Sequence, residues 1–267
     1  MIGSAVVPVV LLALMLGLAL GSFANVLIYR VPAGLSIVSP PSACPACGAR
    51  IKARHNVPVA GWLVLRGRCA SCGDAISPRY PIVEALVGAL FVLVVIVAGP
   101  SVEALLLCGL VYFGVVLSAI DLETRRLPDP LTGAFAIYVA GVIVLGAATS
   151  GEWGDVLRAL GGAGILGVLY LGAFLAYPKG MGFGDVKLAP SLGALLGWFG
   201  WPALVVGGFA AFLWGAIVGV GAMVAARRGR GVAIPFGPWM FVGAVTGVVA
   251  GAPVAAWYLD IIGIDLS

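Results

Sequence analysis

The fold class predicted by this sequence is an all-α polytopic membrane protein, with eight transmembrane helices and one small polar insert between the first and second. Three observations carry that prediction. The chain is 62% hydrophobic and only 10% charged, whereas ordinary soluble domains carry about 25% charged residues. Apolar runs of about 20 residues, the length that crosses a bilayer, recur along its whole length. The basic residues concentrate on alternate connections between those runs.

The runs fall at 4–28, 82–98, 102–120, 131–149, 156–177, 186–200, 202–226 and 236–260. The first has no basic segment before it, and its apolar core is longer than the 7–15 residues of a secretory signal. It therefore reads as a retained helix with its N-terminus outside. Arg30, Arg50, Lys52, Arg54, Arg66, Arg68 and Arg79 follow it in segment 29–81. Arg125 and Arg126 lie between the third and fourth runs, Lys179 and Lys187 between the fifth and sixth, and Arg227, Arg228 and Arg230 between the seventh and eighth. Of the fifteen basic residues only Arg158 breaks the alternation. Lys and Arg mark cytoplasmic loops, so the pattern predicts eight spans with both termini outside. The net charge of +4 does not read as nucleic-acid binding, and the basic excess of the segment after the first run reads as attraction to anionic lipid at the cytoplasmic face.

Segment 31–80 is the only sizeable polar stretch. It holds Cys44-Pro45-Ala46-Cys47 and Cys69-Ala70-Ser71-Cys72. Paired C-x2-C units at this separation are a zinc-ribbon signal, and Gly48 and Gly73 after each pair relax the tight turns. The competing reading, two disulfides, conflicts with a reducing cytosolic location. An insert of this size is also too small to rely on its own core. Four thiolates would close the coordination sphere, which makes the expected zinc structural. His55, the sole histidine, reads as a polar loop residue, and Cys108 as a small buried apolar one.

Asp121 ends the third run and Asp185 follows Gly180-Met181-Gly182-Phe183-Gly184. Charge near hydrocarbon is costly, about 2.5–3.5 kcal/mol on insertion scales, so a chain keeps it for water, a partner or a substrate. The charge map puts both aspartates on the cytoplasmic side. Two close carboxylates share one proton and titrate as a pair: the ionised one can take a proton from water while the protonated one polarises a carbonyl. Gly180, Gly182 and Gly184 would let backbone approach a substrate closely and permit unusual dihedrals, and Lys187 would balance charge or contact a carbonyl. Competing readings are a helix-terminal Asp121 in interfacial water and an Asp185 that N-caps the sixth run. Glu84, Glu123 and Asp129 are acidic and cytoplasmic too, so charge alone does not select the pair. No serine or cysteine nucleophile stands beside a histidine.

Further residues complete a pattern: Ser22-Phe23-Ala24-Asn25-Val26, Asn56-Val57-Pro58, Gly61-Trp62-Leu63, Arg66-Gly67-Arg68-Cys69, Ser77-Pro78-Arg79-Tyr80-Pro81, Glu84, Pro128-Asp129 and Pro235-Phe236-Gly237-Pro238. With the two Cys pairs and G-x-G-D, this resembles the bacterial type IV prepilin peptidases, membrane aspartic peptidases, from about residue 20 to 240. The resemblance implies a first transmembrane helix (1–30), a cytoplasmic zinc-binding insert (31–80) and a seven-helix peptidase core (81–267) in the cytoplasmic (inner) membrane. It implies cleavage of the basic leader of prepilins or pseudopilins, with Asp121 and Asp185 as the catalytic pair. It also implies N-methylation of the new terminus with S-adenosylmethionine, an activity associated with the insert. A basic leader would need acidic groups near the site, and Glu123 and Asp129 are the candidates. The alternatives are an ion or proton transporter using Asp121, Asp185 and Lys187, and a membrane scaffold whose zinc ribbon binds a partner.

Overall fold

The computed structural model describes residues 6–225 and 234–263. Arg227, Arg228, Arg230 and both chain ends therefore lie outside the described residues. Among the described residues there are helices, two isolated β-bridges and no strand. The chain forms two compact units, Met1–Ala119 and Ile120–Ser267.

In the first unit, α1 (Val6–Arg30) packs on α3 (Arg79–Ala98), with α2 (Ala60–Val64) in the insert between them. Small residues set the approach of α1 to α3, as in membrane helix pairs generally. A Cβ on Gly17 would lie 2.8 Å from Gly88 Cα, and one on Gly21 2.7 Å from Glu84 Cα. Asn25 is buried in this seam, where its Nδ2 donates to the carbonyl of Tyr80 at 3.1 Å.

Helix α4 (Val102–Thr124) ends in the second unit, which continues with α5 (Asp129–Ser150), α6 (Trp153–Ala176), α7 (Phe183–Phe199), α8 (Trp201–Ala225) and α9 (Gly237–Ile261). α7 contacts α5, α6, α8 and α9, and most of its residues from Asp185 to Trp198 are buried. Glycines again let backbones meet. A Cβ on Gly162 of α6 would lie 3.1 Å from Gly197 Cα of α7, and one on Gly247 of α9 2.6 Å from Gly207 Cα of α8.

Within the described residues, every predicted apolar run coincides with a helix. Among the described residues, seven helices are long and apolar enough to cross a membrane. The eighth, α7, has 17 residues, a length of about 25 Å at 1.5 Å per residue against roughly 30 Å of hydrocarbon. Its neighbours are protein rather than lipid, so its length need not match the bilayer. Its start also differs from the sequence reading. Gly182 is the N-cap and Asp185 lies inside the first turn, not in the loop before it.

Arg158, the one basic residue off the alternation, has a structural task. Its Nε and Nη2 donate to the carbonyls of Gly197 and Trp198 at 2.7 and 2.8 Å, and Nη1 pairs with Asp155 at 2.9 Å. A cation on the last carbonyls of α7 bonds acceptors at the end of the helix ladder and complements the helix dipole.

Candidate active site

Asp121 and Asp185 are 5% and 6% exposed, and both belong to the second unit. Asp121 sits one turn before the end of α4. Its Oδ2 accepts the backbone N–H of Gly237, the first residue of α9, at 3.0 Å across 116 residues of sequence. Asp185 is the third residue of α7, and its Oδ2 accepts the N–H of Gly182 at 3.2 Å. This is one half of a capping box, since Gly182 has no side chain to return the bond. Asp185 is thus not the N-cap that the sequence allowed. The two carboxylates lie within electrostatic range of one another, and Tyr170 of α6 within range of Asp185.

Leu127 ties the segments together. It follows α4 and is buried. A Cβ on Gly184 would lie 2.9 Å from Leu127 Cβ, and one on Gly237 3.2 Å from Leu127 Cδ2. The start of α7 and the start of α9 therefore both close on this one side chain. Around them Tyr170, Phe212 and Phe236 form a ring cluster, with centroids 5.3 Å apart for Tyr170–Phe212 and for Phe212–Phe236.

The glycines of this run lack the positive φ expected of them. Gly180, Gly182 and Gly184 are absent from the positive-φ glycines, so the run needs no unusual dihedrals. Gly184 serves packing against Leu127, while Gly180 faces the ring of Tyr177. Lys187 pairs with Asp129. Its Nζ donates to both carboxylate oxygens of Asp129, at 2.7 and 2.8 Å, and lies 5.1 Å from the Phe183 ring centroid. Glu123 is exposed on the last turn of α4. Glu84 is committed elsewhere, its Oε2 accepting the N–H of Val59 at 2.7 Å. Val59 has φ 61, a left-handed conformation that a β-branched residue rarely adopts, so this bond holds a strained turn of the insert. Geometry thus separates the acidic residues that charge could not rank.

Gly237, Leu127 and Tyr170 are the residues that sequence reasoning missed as site members. The run Pro235-Phe236-Gly237-Pro238 was the only signal for Gly237, and it named a motif without a role.

In the first unit, the Sγ atoms of Cys44, Cys47, Cys69 and Cys72 lie within 4.8 Å of one another, so one metal ion can be held by all four. The two halves repeat one turn. Gly48 donates to Cys44 and Gly73 to Cys69, both at 2.9 Å, with φ of 70 and 77 at the glycines. Bridges Ala43–Arg50 and Arg68–Ala75 flank them. The amides of Cys72 and then Ser71 aim at the Cys69 sulfur and hold its thiol down to about 6. His55 is outside this group, its Nε2 accepting from Arg54 Nε at 3.3 Å. Cys108 is half-buried in α4, less enclosed than expected.

Known proteins resemble this chain along both units. Residues 15–98 match the bacterial peptidase A24 N-terminal domain and residues 105–224 the type IV leader peptidase family. A prepilin leader peptidase/N-methyltransferase of Aeromonas salmonicida (strain A449) is 34% identical over 283 residues, 94% of each chain. One of Burkholderia pseudomallei (strain 1026b) is 36% identical over 277 residues, 90% of this chain and 85% of its own. One of Klebsiella pneumoniae is 40% identical over 198 residues, 70% of this chain and 84% of its own. No solved structure matches. The Cys pairs fall in the first matched segment and both aspartates in the second, while Gly237 lies beyond either.

Proposed function

The chain belongs to the type IV leader peptidase family, and on that footing we propose that it is an intramembrane aspartic endopeptidase with Asp121 and Asp185 as its catalytic pair. The substrate is a prepilin or pseudopilin, cut where its basic leader meets its apolar helix, at the cytoplasmic edge of the inner membrane. The observation that carries this reading is two buried carboxylates gathered around Leu127 by three helix ends. The cytoplasmic side follows from the distribution of Lys and Arg.

The chemistry needs one ionised and one protonated aspartate. The ionised one takes a proton from water as the water oxygen bonds to the scissile carbonyl carbon. The protonated one gives its proton to the carbonyl oxygen, so the two exchange states. Collapse of the tetrahedral species breaks the C–N bond. The first aspartate then passes its proton to the departing amine, and the second recovers a proton from a hydroxyl as the carbonyl reforms. One water is consumed and the pair is restored.

The relatives' names also include N-methyltransferase, and methylation of the new terminus is the second activity proposed. S-adenosylmethionine would supply the methyl group. The insert supports a structural zinc site. Four thiolates about 2.3 Å from one zinc would stand roughly 3.8 Å apart in a tetrahedron, and Cys44 Sγ and Cys72 Sγ are 3.9 Å apart.

The test is mass spectrometry of a prepilin incubated with the purified protein, with and without S-adenosylmethionine. Wild type is expected to remove the leader and Asp185→Asn is not. A methyl on the trimmed chain establishes the second activity. An untouched precursor with folded wild type sinks the peptidase reading and favours the transporter or scaffold.

A further inference from the structure

The first turn of α9 offers few free donors. Pro238 has no N–H, and the amides of Trp239 and Met240 donate to the carbonyl of Phe236 at 3.0 and 3.2 Å. That leaves the Gly237 amide as the backbone donor of the turn with no backbone acceptor, and it donates to Asp121 Oδ2. A Cβ on Gly237 would lie 2.8 Å from that oxygen, closer than real Cβ atoms come. A larger residue would push this carboxylate oxygen aside, and the amide at a helix N-terminus is suited to a negative charge.

We propose that Gly237 is a positioning residue of the active site, its backbone amide fixing the Asp121 carboxylate in place from the start of α9. This deepens the aspartic-peptidase reading and rests on it. The two aspartates are held in different ways. Asp185 is tied to Gly182 within its own turn, so its position follows from α7 alone. Asp121 is tied to a helix more than a hundred residues away, so its position depends on α9 docking. Leu127 is the spacer between them, touching the start of both helices. The active geometry therefore forms only when α4, α7 and α9 have all assembled. The run Pro235-Phe236-Gly237-Pro238 thereby has a function. Pro238 lacks a competing donor, Phe236 joins the ring cluster with Tyr170 and Phe212, and Gly237 presents its amide.

The variant Gly237→Ala tests this in two measurements. In leader removal, kcat is expected to fall by roughly 10²-fold, the cost of about 1 Å of misplacement at a reacting group, with KM within about twofold because no substrate contact is removed. In thermal unfolding, Gly237→Ala is expected to lower the midpoint in wild type but far less in an Asp121→Ala background, where the crowded oxygen is gone. Gly243→Ala is the packing control on the same helix, since its Cβ would lie 2.7 Å from Ala211 Cα. Its loss of stability should be the same with and without the Asp121 side chain. The proposal is overturned if Gly237→Ala raises KM and leaves kcat, or if its stability loss is indifferent to Asp121. The thermal cycle needs no turnover. A chain that fails to cleave any prepilin would therefore defeat the peptidase reading, while the cycle would still report on the Gly237–Asp121 contact.

Discussion

Replacing Gly184 by alanine places a methyl 2.9 Å from Leu127 Cβ and 3.5 Å from Leu127 N. Leu127 Cβ is one bond from the backbone, so no rotamer moves it away. An ordinary carbon–carbon contact is about 3.5–4.0 Å, so the start of α7 or the turn at Leu127 must shift by roughly 0.6 Å or more. Overpacking of this kind costs about 1–3 kcal/mol. Both segments also place an aspartate, and 1 Å of misplacement costs about 10²-fold in rate. The expected result is a fall in kcat of about tenfold or more, accompanied by a lower unfolding midpoint. Gly182→Ala is the contrast. Its Cβ would lie 3.3 Å from Asp185 Oδ2, and Gly182 has φ −72, which alanine adopts freely, so its rate should stay within about threefold. The assay is leader removal followed by mass spectrometry, with thermal unfolding of the same preparations. A Gly184→Ala enzyme of wild-type rate beside a dead Gly182→Ala enzyme would refute the packing argument and return these glycines to substrate approach.

Three more outcomes are expected. If Asp129 receives a basic leader, the leader must displace Lys187; Lys187→Gln should then lower KM for a basic-leader substrate and Asp129→Asn should raise it, and shifts in the same direction would sink the idea. Neither change should cost more than about 1 kcal/mol of stability, because the pair is exposed. Cys47→Ser should abolish stoichiometric metal content by elemental analysis and destabilise the insert, while peptidase turnover persists; retention of one metal per chain would contradict a four-thiolate site. Glu84→Ala leaves the Val59 amide without its acceptor and should lower stability by about 1–3 kcal/mol, with Glu84→Gln, which keeps an acceptor, losing less. Equal losses in the two would show that the Val59 bond contributes little.

The sequence by itself determined the membrane class, the apolar helical runs and the four-cysteine insert. These depend on local quantities: runs long enough to cross hydrocarbon, Lys and Arg that bias a loop to one side, and thiol pairs whose spacing is a turn. Each Cys pair could be read alone because its glycine and its two sulfurs lie within a few residues. Arg158 is where that logic met its limit. Its place in the pattern looked anomalous because its partners, the carbonyls of Gly197 and Trp198, are some forty residues away.

The aspartates show the same division. Their type and flanking glycines were visible, but six acidic residues shared one predicted side. Only tertiary structure committed Glu84 to Val59 and Asp129 to Lys187, and left Asp121 and Asp185 buried around Leu127. It also reassigned Gly184 from backbone freedom to packing and brought in Gly237 from α9. A periodicity or a charge bias is a property of one segment. An amide that meets a carboxylate 116 residues away exists only once both helices have docked, and no local pattern encodes which donor will arrive there.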